Sequence, residues 1–121
     1  MLYFIVNQRS RSGKGAKIWR EAEQVLRQRH IPYRAWTTEY EGHARELAQK
    51  ICKRKDAQIS LVAVGGDGTA NEVINGITDF ARVRFGMIPT GSGNDLARGL
   101  GIQGGPAECL ERILACMEDG D

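Results

Sequence analysis

Along the whole chain, short runs of β-branched and aromatic residues alternate with stretches whose apolar residues recur every three or four positions. Leu2-Tyr3-Phe4-Ile5-Val6 is unbroken, as a strand covered on both faces is. Ile18, Ala22, Val25 and Leu26 then mark a helix over 16–29. A second strand is expected over 33–37, entered through Pro32. A second helix follows over 43–55, with Ala44, Leu47, Ala48 and Ile51 on one face. Ile59 to Val64 is the clearest buried strand. It leads to a helix over 70–80 with Val73, Ile74 and Ile77 inward, and then to a short strand over 85–88. A short helix over 95–100 and a longer one over 106–117 close the chain. Pro106 suits the first turn of the longer one, and Leu110, Ile113, Leu114 and Met117 form its apolar face. Strand and helix alternating through short connections predict a three-layer α/β sandwich around a mainly parallel sheet.

The length, 121 residues, is that of one domain, and 41% hydrophobic with 26% charged residues is globular composition. No apolar run reaches the ~20 residues a membrane span needs. The opening strand is too short for a secretory signal and has no basic segment before it. The three cysteines, Cys52, Cys109 and Cys116, have no CxxC spacing, so neither a disulfide framework nor a thiolate zinc site is supported. A reducing cytoplasm is expected, with Cys109 and Cys116 as small core residues. His30 and His43 stand alone, and no metal-ligand set emerges. Residues 1–34 carry a net charge of +6 and the remainder −4, which suggests an anionic partner, the alternative for most of these side chains being a solvated helix face.

In a parallel α/β sheet the loops after the strands emerge together at the carboxyl edge, where ligands bind. Here they are Asn7-Gln8-Arg9-Ser10-Arg11-Ser12-Gly13-Lys14-Gly15, then Thr37-Thr38-Glu39, then Gly65-Gly66-Asp67-Gly68-Thr69-Ala70-Asn71-Glu72, and last Pro89-Thr90-Gly91-Ser92-Gly93-Asn94-Asp95. The first is not a Walker A loop, because Gln8 replaces the leading Gly and Gly15 replaces the Mg²⁺-binding hydroxyl. Neither Gly66-x-Gly68 nor Gly91-x-Gly93 completes a dinucleotide fingerprint, since Asn71 and Leu96 fill the third place. The third loop ends a buried strand and opens a helix. Glycines there let backbone N–H groups approach phosphate oxygens, and the helix dipole adds to the attraction. An aspartate in such a nest would repel phosphates unless it handles a cation or takes a proton, so Asp67 points to phosphoryl transfer. The purely structural alternative is a tight turn with Asp67 or Thr69 as N-cap.

Gly65-Gly66-Asp67-Gly68-Thr69 with Asn71-Glu72-Val73-Ile74-Asn75-Gly76, followed by Ile88-Pro89-Thr90-Gly91-Ser92-Gly93-Asn94-Asp95-Leu96-Ala97-Arg98, closely resembles the diacylglycerol kinase catalytic domain. That family of lipid kinases includes sphingosine and ceramide kinases, and the likeness extends over nearly the whole chain. Asn7 and Ser12-Gly13-Lys14-Gly15 resemble its first loop, and Thr38 with Gly42-His43-Ala44 its second. The GGDGT element is shared with NAD kinases, and the Gly91-x-Gly93-Asn94-Asp95 element favours the lipid kinases. Gln8 stands where the family has Pro, and the first loop is slightly longer, so either Ser10 or Ser12 faces the phosphates.

The resemblance implies the NAD kinase/diacylglycerol kinase-like N-terminal domain, here residues 1–121, as the nucleotide-binding half of a two-lobe kinase. The β-rich lipid-binding lobe would begin where this chain stops, and the 121-residue fragment alone is expected to be inactive. The implied reaction transfers the γ-phosphoryl of ATP, with Mg²⁺, to a lipid hydroxyl such as that of diacylglycerol. In this reading Asn7, Ser12, Gly13 and Lys14 bracket phosphates or ribose, and Thr38 contacts the nucleotide. Gly66, Gly68, Thr69 and Asn71 hold phosphates, Asp67 is catalytic through Mg²⁺ or a proton, and Glu72 and Ser92 line the cleft. Asn94 and Asp95 brace the last loop and cap the next helix. The alternatives are an NAD kinase, a sphingoid-lipid kinase, or a nucleotide-binding module without catalysis. Arg9, Arg11, Lys14 and Lys17 hold the triphosphate or meet anionic lipid. The expected location is cytoplasmic with peripheral contact at the inner leaflet, and nucleic acid is not an expected partner.

Overall fold

In the computed structural model, which describes residues 1–90 and 106–118, the alternating pattern becomes β1 (Leu2–Val6), α1 (Ser10–Gln28), β2 (Tyr33–Thr37), α2 (His43–Cys52), β3 (Ile59–Gly65), α3 (Asp67–Gly76), β4 (Val83–Pro89) and α4 (Pro106–Glu118). The four strands form one sheet in the order β2-β1-β3-β4, and every neighbouring pair is parallel. Alternate residues of the central strands feed two separate cores. Leu2, Phe4, Val6, Val62 and Val64 pack beneath α1 and α4, against Ile18, Trp19, Leu26, Leu110 and Leu114. Tyr3, Ile5, Leu61 and Ala63 pack beneath α2 and α3, against Leu47, Ile51, Ala70 and Val73. Helices on both faces of the sheet make the three layers that the period changes imply.

Two helices depart most from the sequence pattern. The first helix begins at Ser10, not near 16, and contains Gly13 at φ +92°. The glycines read as loop residues lie inside it, held by N–H bonds from Gly13 to the Arg9 carbonyl and from Ala16 to the Gln8 carbonyl. Helix α3 starts at Asp67 and ends at Gly76, so Ile77 is buried beyond its end. The expected helix over 95–100, together with Ser92, Asn94 and Asp95, lies outside the described residues.

The amino edge of the sheet is closed by polar side chains. Tyr3 donates its hydroxyl to Asp56 Oδ2 at 2.6 Å and accepts from Arg54 Nε at 2.9 Å. Arg82 donates to the carbonyls of Cys52, Arg54 and Asp56, and to Asp79 Oδ2 at 2.8 Å. These bonds tie the connection between α2 and β3 to the start of β4, so the end of the molecule opposite the strand termini is fixed.

Two stability predictions follow from this packing. A Cβ at Gly76 would lie 2.4 Å from the Arg45 carbonyl oxygen and 2.7 Å from Ala48 Cβ, so α2 and α3 touch backbone to side chain there. Gly76→Ala should therefore destabilise the fold by about 1–3 kcal/mol, the cost of overpacking, as read by denaturant unfolding. The second concerns acid. The Tyr3 hydroxyl bonded to Asp56 and the Arg82 guanidinium bonded to Asp79 hold both carboxyls below their ordinary value. The unfolded chain then binds more protons on the acid side, so this stability is complete above about pH 4 and is lost as pH falls through the depressed values. Thermal melts should fall towards pH 3, and the combined D56N and D79N variant should show a flatter acid limb.

Candidate functional site

The strand order reverses between β1 and β3, whose following helices leave to opposite faces of the sheet. A crevice opens outside the carboxyl ends at such a switch point. Backbone pairing runs one residue past the strands: Thr38 N–H donates to the Val6 carbonyl, Asn7 N–H to Val64, and Thr90 N–H to Gly65. The first residues of all these loops are therefore set side by side in sheet register.

One wall is the start of α3. Its N-cap is Gly66, in extended conformation and with no side chain to cap the first turn. Ala70 N–H donates to the Gly66 carbonyl as the chain enters the helix, and backbone N–H groups at a helix start point outward along its axis. Neither Asp67 nor Thr69 is the N-cap. Thr69 is buried and turned onto the strand end: its Oγ1 lies 2.7 Å from where a Cβ on Gly65 would be, and it accepts from Asn7 Nδ2 at 3.2 Å. Asn7 also accepts the Arg9 N–H on its Oδ1 at 3.1 Å. A single asparagine thus ties the first loop to the first turn of α3. Gly68 is exposed with nothing within 4 Å of a built Cβ, and its φ is not left-handed.

The facing wall is the loop from β2 to α2. Gly42, at φ +89°, turns the chain into α2 and donates its N–H to Glu72 Oε1 at 3.2 Å, joining this loop to the middle of α3. Glu39 N–H donates to His43 Nδ1 at 2.9 Å. The Tyr40 ring stacks on the His43 imidazole at 4.4 Å and 11°, and its hydroxyl bonds to Glu46. That carboxylate pushes the Tyr40 hydroxyl above its ordinary pKa.

Between the walls lies a cleft of about 400 Å³, lined on one side by Asn7, Arg9, Gly66, Gly68, Thr69 and Glu72. Thr38, Glu39, Tyr40, Glu41 and Ala44 line the other side. Of the residues singled out from sequence, Asn7, Thr38, Gly66, Gly68, Thr69 and Glu72 meet in this one cleft; Asp67, at the first position of α3 between Gly66 and Gly68, is not among the residues lining it. Gly13 and Lys14 are exposed on α1 and Asn71 is exposed on α3; none of the three lines this cleft. Ser12 lies in the first turns of α1, and Ser92 lies outside the described residues. The sequence reading missed Tyr40 and Glu41. A bulky aromatic in an otherwise polar loop at the carboxyl edge was the available signal. Among the described residues no group of three or more His, Cys, Asp or Glu is placed to hold a metal ion.

Comparison with known proteins gives a consistent picture. The sequence model of the diacylglycerol kinase catalytic domain matches residues 1–119. A diacylglycerol kinase of Staphylococcus haemolyticus is 40% identical over 86 residues, covering 70% of this chain and 24% of the relative. Human sphingosine kinase 2 is 38% identical over 87 residues, covering 65% of this chain and 13% of the relative. The crystal structure of a diacylglycerol kinase from Bacillus anthracis superposes with a TM-score of 0.71 at 27% identity, over 90% of this chain and 39% of that one. This chain therefore spans well under half the length of the proteins it matches.

The link between Asn7 and Thr69 gives a prediction of its own. Thr69→Val removes the acceptor of the Asn7 amide and should cost about 1 kcal/mol of stability. If the two side chains act as one unit, Asn7→Ala added to Thr69→Val should cost little more, and a double-mutant cycle by urea unfolding reads that coupling.

Proposed function

Because this chain belongs to the diacylglycerol kinase catalytic domain family, we propose that it is the nucleotide-binding half of a two-lobe lipid kinase that transfers the γ-phosphoryl of ATP to a lipid hydroxyl, with diacylglycerol as the first acceptor to test. The observation that carries this reading is the glycine-capped N-terminus of α3, with Asp67 in its first turn, opening onto the cleft at the switch point. Backbone N–H groups and the helix dipole at that end favour phosphate oxygens, and Arg9 adds a cation on the same wall.

Phosphoryl transfer asks a protein mainly to position its reactants and to stabilise charge. In this proposal the α3 nest holds the phosphate chain. Asp67 accepts the proton of the lipid hydroxyl as the new O–P bond forms and the bond from the γ-phosphorus to the bridging oxygen breaks. Mg²⁺ is held largely by substrate phosphates with one or two carboxylates, and Asp67 and Glu72, both on α3, are the carboxylates that would serve it. When bound, that ion spreads the charge developing on the transferred group. Its fit rests on those donors alone, since the described residues form no protein cage for a metal.

The acceptor lies in a bilayer, so we place the protein in the cytoplasm with peripheral contact at the inner leaflet. Among the described residues no helix is long and apolar enough to cross a membrane. The match to human sphingosine kinase 2 keeps a sphingoid acceptor as the second reading. Phosphate transfer from labelled ATP to diacylglycerol, sphingosine and NAD, assayed in a protein that carries this chain together with its second lobe, separates these acceptors.

Gly68→Val tests the nest. The site has room for the side chain and needs no left-handed backbone, so the fold should survive while ATP binding is lost. A folded Gly68→Val protein that binds ATP as tightly as the unchanged chain would remove the phosphate role from this loop. Asp67→Asn should keep the fold and lower lipid phosphorylation by ~100-fold or more, the scale of a lost acid–base group.

A further inference from the structure

We infer that Tyr40 is the platform on which the base of the bound nucleotide stacks, which makes it a specificity-determining residue of the cleft; the inference rests on the ATP-binding reading above. Tyr40 is the one aromatic side chain among the described residues that line the cleft. Tyr40 is 54% exposed at the edge of the concave site, so its ring is accessible to a ligand there. It is also fixed in place. One ring face lies on the His43 imidazole at 4.4 Å, nearly parallel, and the hydroxyl is bonded to Glu46. His43 is itself oriented by the Glu39 N–H on its Nδ1. A ring held at both ends loses little freedom when a second ring settles on it.

The charges of the cleft say which part of a nucleotide comes to rest there. The wall that carries Tyr40 carries Glu39 and Glu41 and no cation among its described lining residues; the opposite wall carries Arg9 and the glycine-capped start of α3, with Glu72 further along that helix. Arg9 and the helix start are the features of the cleft that favour phosphate. With the phosphates on α3, the uncharged end of the molecule falls on the wall of Tyr40. The cleft volume of about 400 Å³ lies within the range of small-molecule sites. Stacking is tolerant of base identity, because every base offers a π-face. Tyr40 therefore selects for the presence of a base, not for adenine over guanine.

The experiment compares ATP with inorganic tripolyphosphate, which carries the phosphates without a base. Binding of each is measured by calorimetry with the unchanged chain and with Tyr40→Ala, Tyr40→Phe and Tyr40→Trp, after circular dichroism has shown each variant folded. The expected result is that Tyr40→Ala weakens ATP by about tenfold or more, within the range for one stacked base, and leaves tripolyphosphate unchanged. Phe and Trp should keep ATP binding within about threefold, because they keep a π-face. Equal losses for ATP and tripolyphosphate would mean that Tyr40 acts by shaping the loop, and would overturn the inference. So would an unchanged ATP affinity in Tyr40→Ala, while leaving the nucleotide site standing. If the unchanged chain binds neither ligand, the ATP-binding reading falls and the inference with it.

Discussion

Thr69 resting on the bare Cα of Gly65 is the contact on which the rest of the carboxyl edge depends. Any side chain at Gly65 would meet Thr69 Oγ1 at 2.7 Å, so the close approach exists only because that residue has no Cβ. The contact draws the first turn of α3 down onto the end of β3. It brings Thr69 within reach of Asn7 on the neighbouring strand, and it leaves Gly66 as the cap with nothing to offer the helix but backbone. A serine or aspartate at position 66 would make a more stable helix start. It would also fill the space where an anion can be received.

The two edges of the sheet are built on opposite terms. At the amino edge the arginines and acids find partners in one another and in carbonyl groups, and Tyr3 is buried with its hydroxyl doubly bonded. At the carboxyl edge the described loops after β1, β2 and β3 are short and meet at the cleft. The side-chain bonds of the amino edge lock loop to strand, whereas those of the carboxyl edge hold the walls of a cleft. The acid sensitivity of Asp56 and Asp79 belongs to the first edge alone, and should be separable from any pH dependence of catalysis.

Much of this was legible in the sequence, because it is local. The strand ending in Gly65-Gly66-Asp67-Gly68-Thr69 specifies its own turn and helix, and unbroken apolar runs such as Leu2 to Val6 announce a sheet covered on both faces. The start of α1 was not legible. Gly13 and Gly15 argue against a helix by propensity, yet one turn forms ahead of the left-handed residue and is kept by bonds to the Arg9 and Gln8 carbonyls. The second wall was hidden for a different reason. Whether Tyr40 faces the cleft depends on Gly42 turning left-handed and on Glu72, thirty residues further along the chain, accepting its N–H. No window of sequence contains that pairing.

Gly76 has a meaning beyond packing density. It lets α3 close on Arg45 and Ala48 of α2, while Glu72, one turn earlier, holds the loop that leads into α2. Both walls of the cleft are thereby tied to α3, which sets the Tyr40 loop against the glycine-capped start of that helix. The spacing of the two walls is thus set inside one layer of helices, at Gly76 and Glu72, and a ligand entering the cleft meets a width fixed by a missing side chain and one carboxylate.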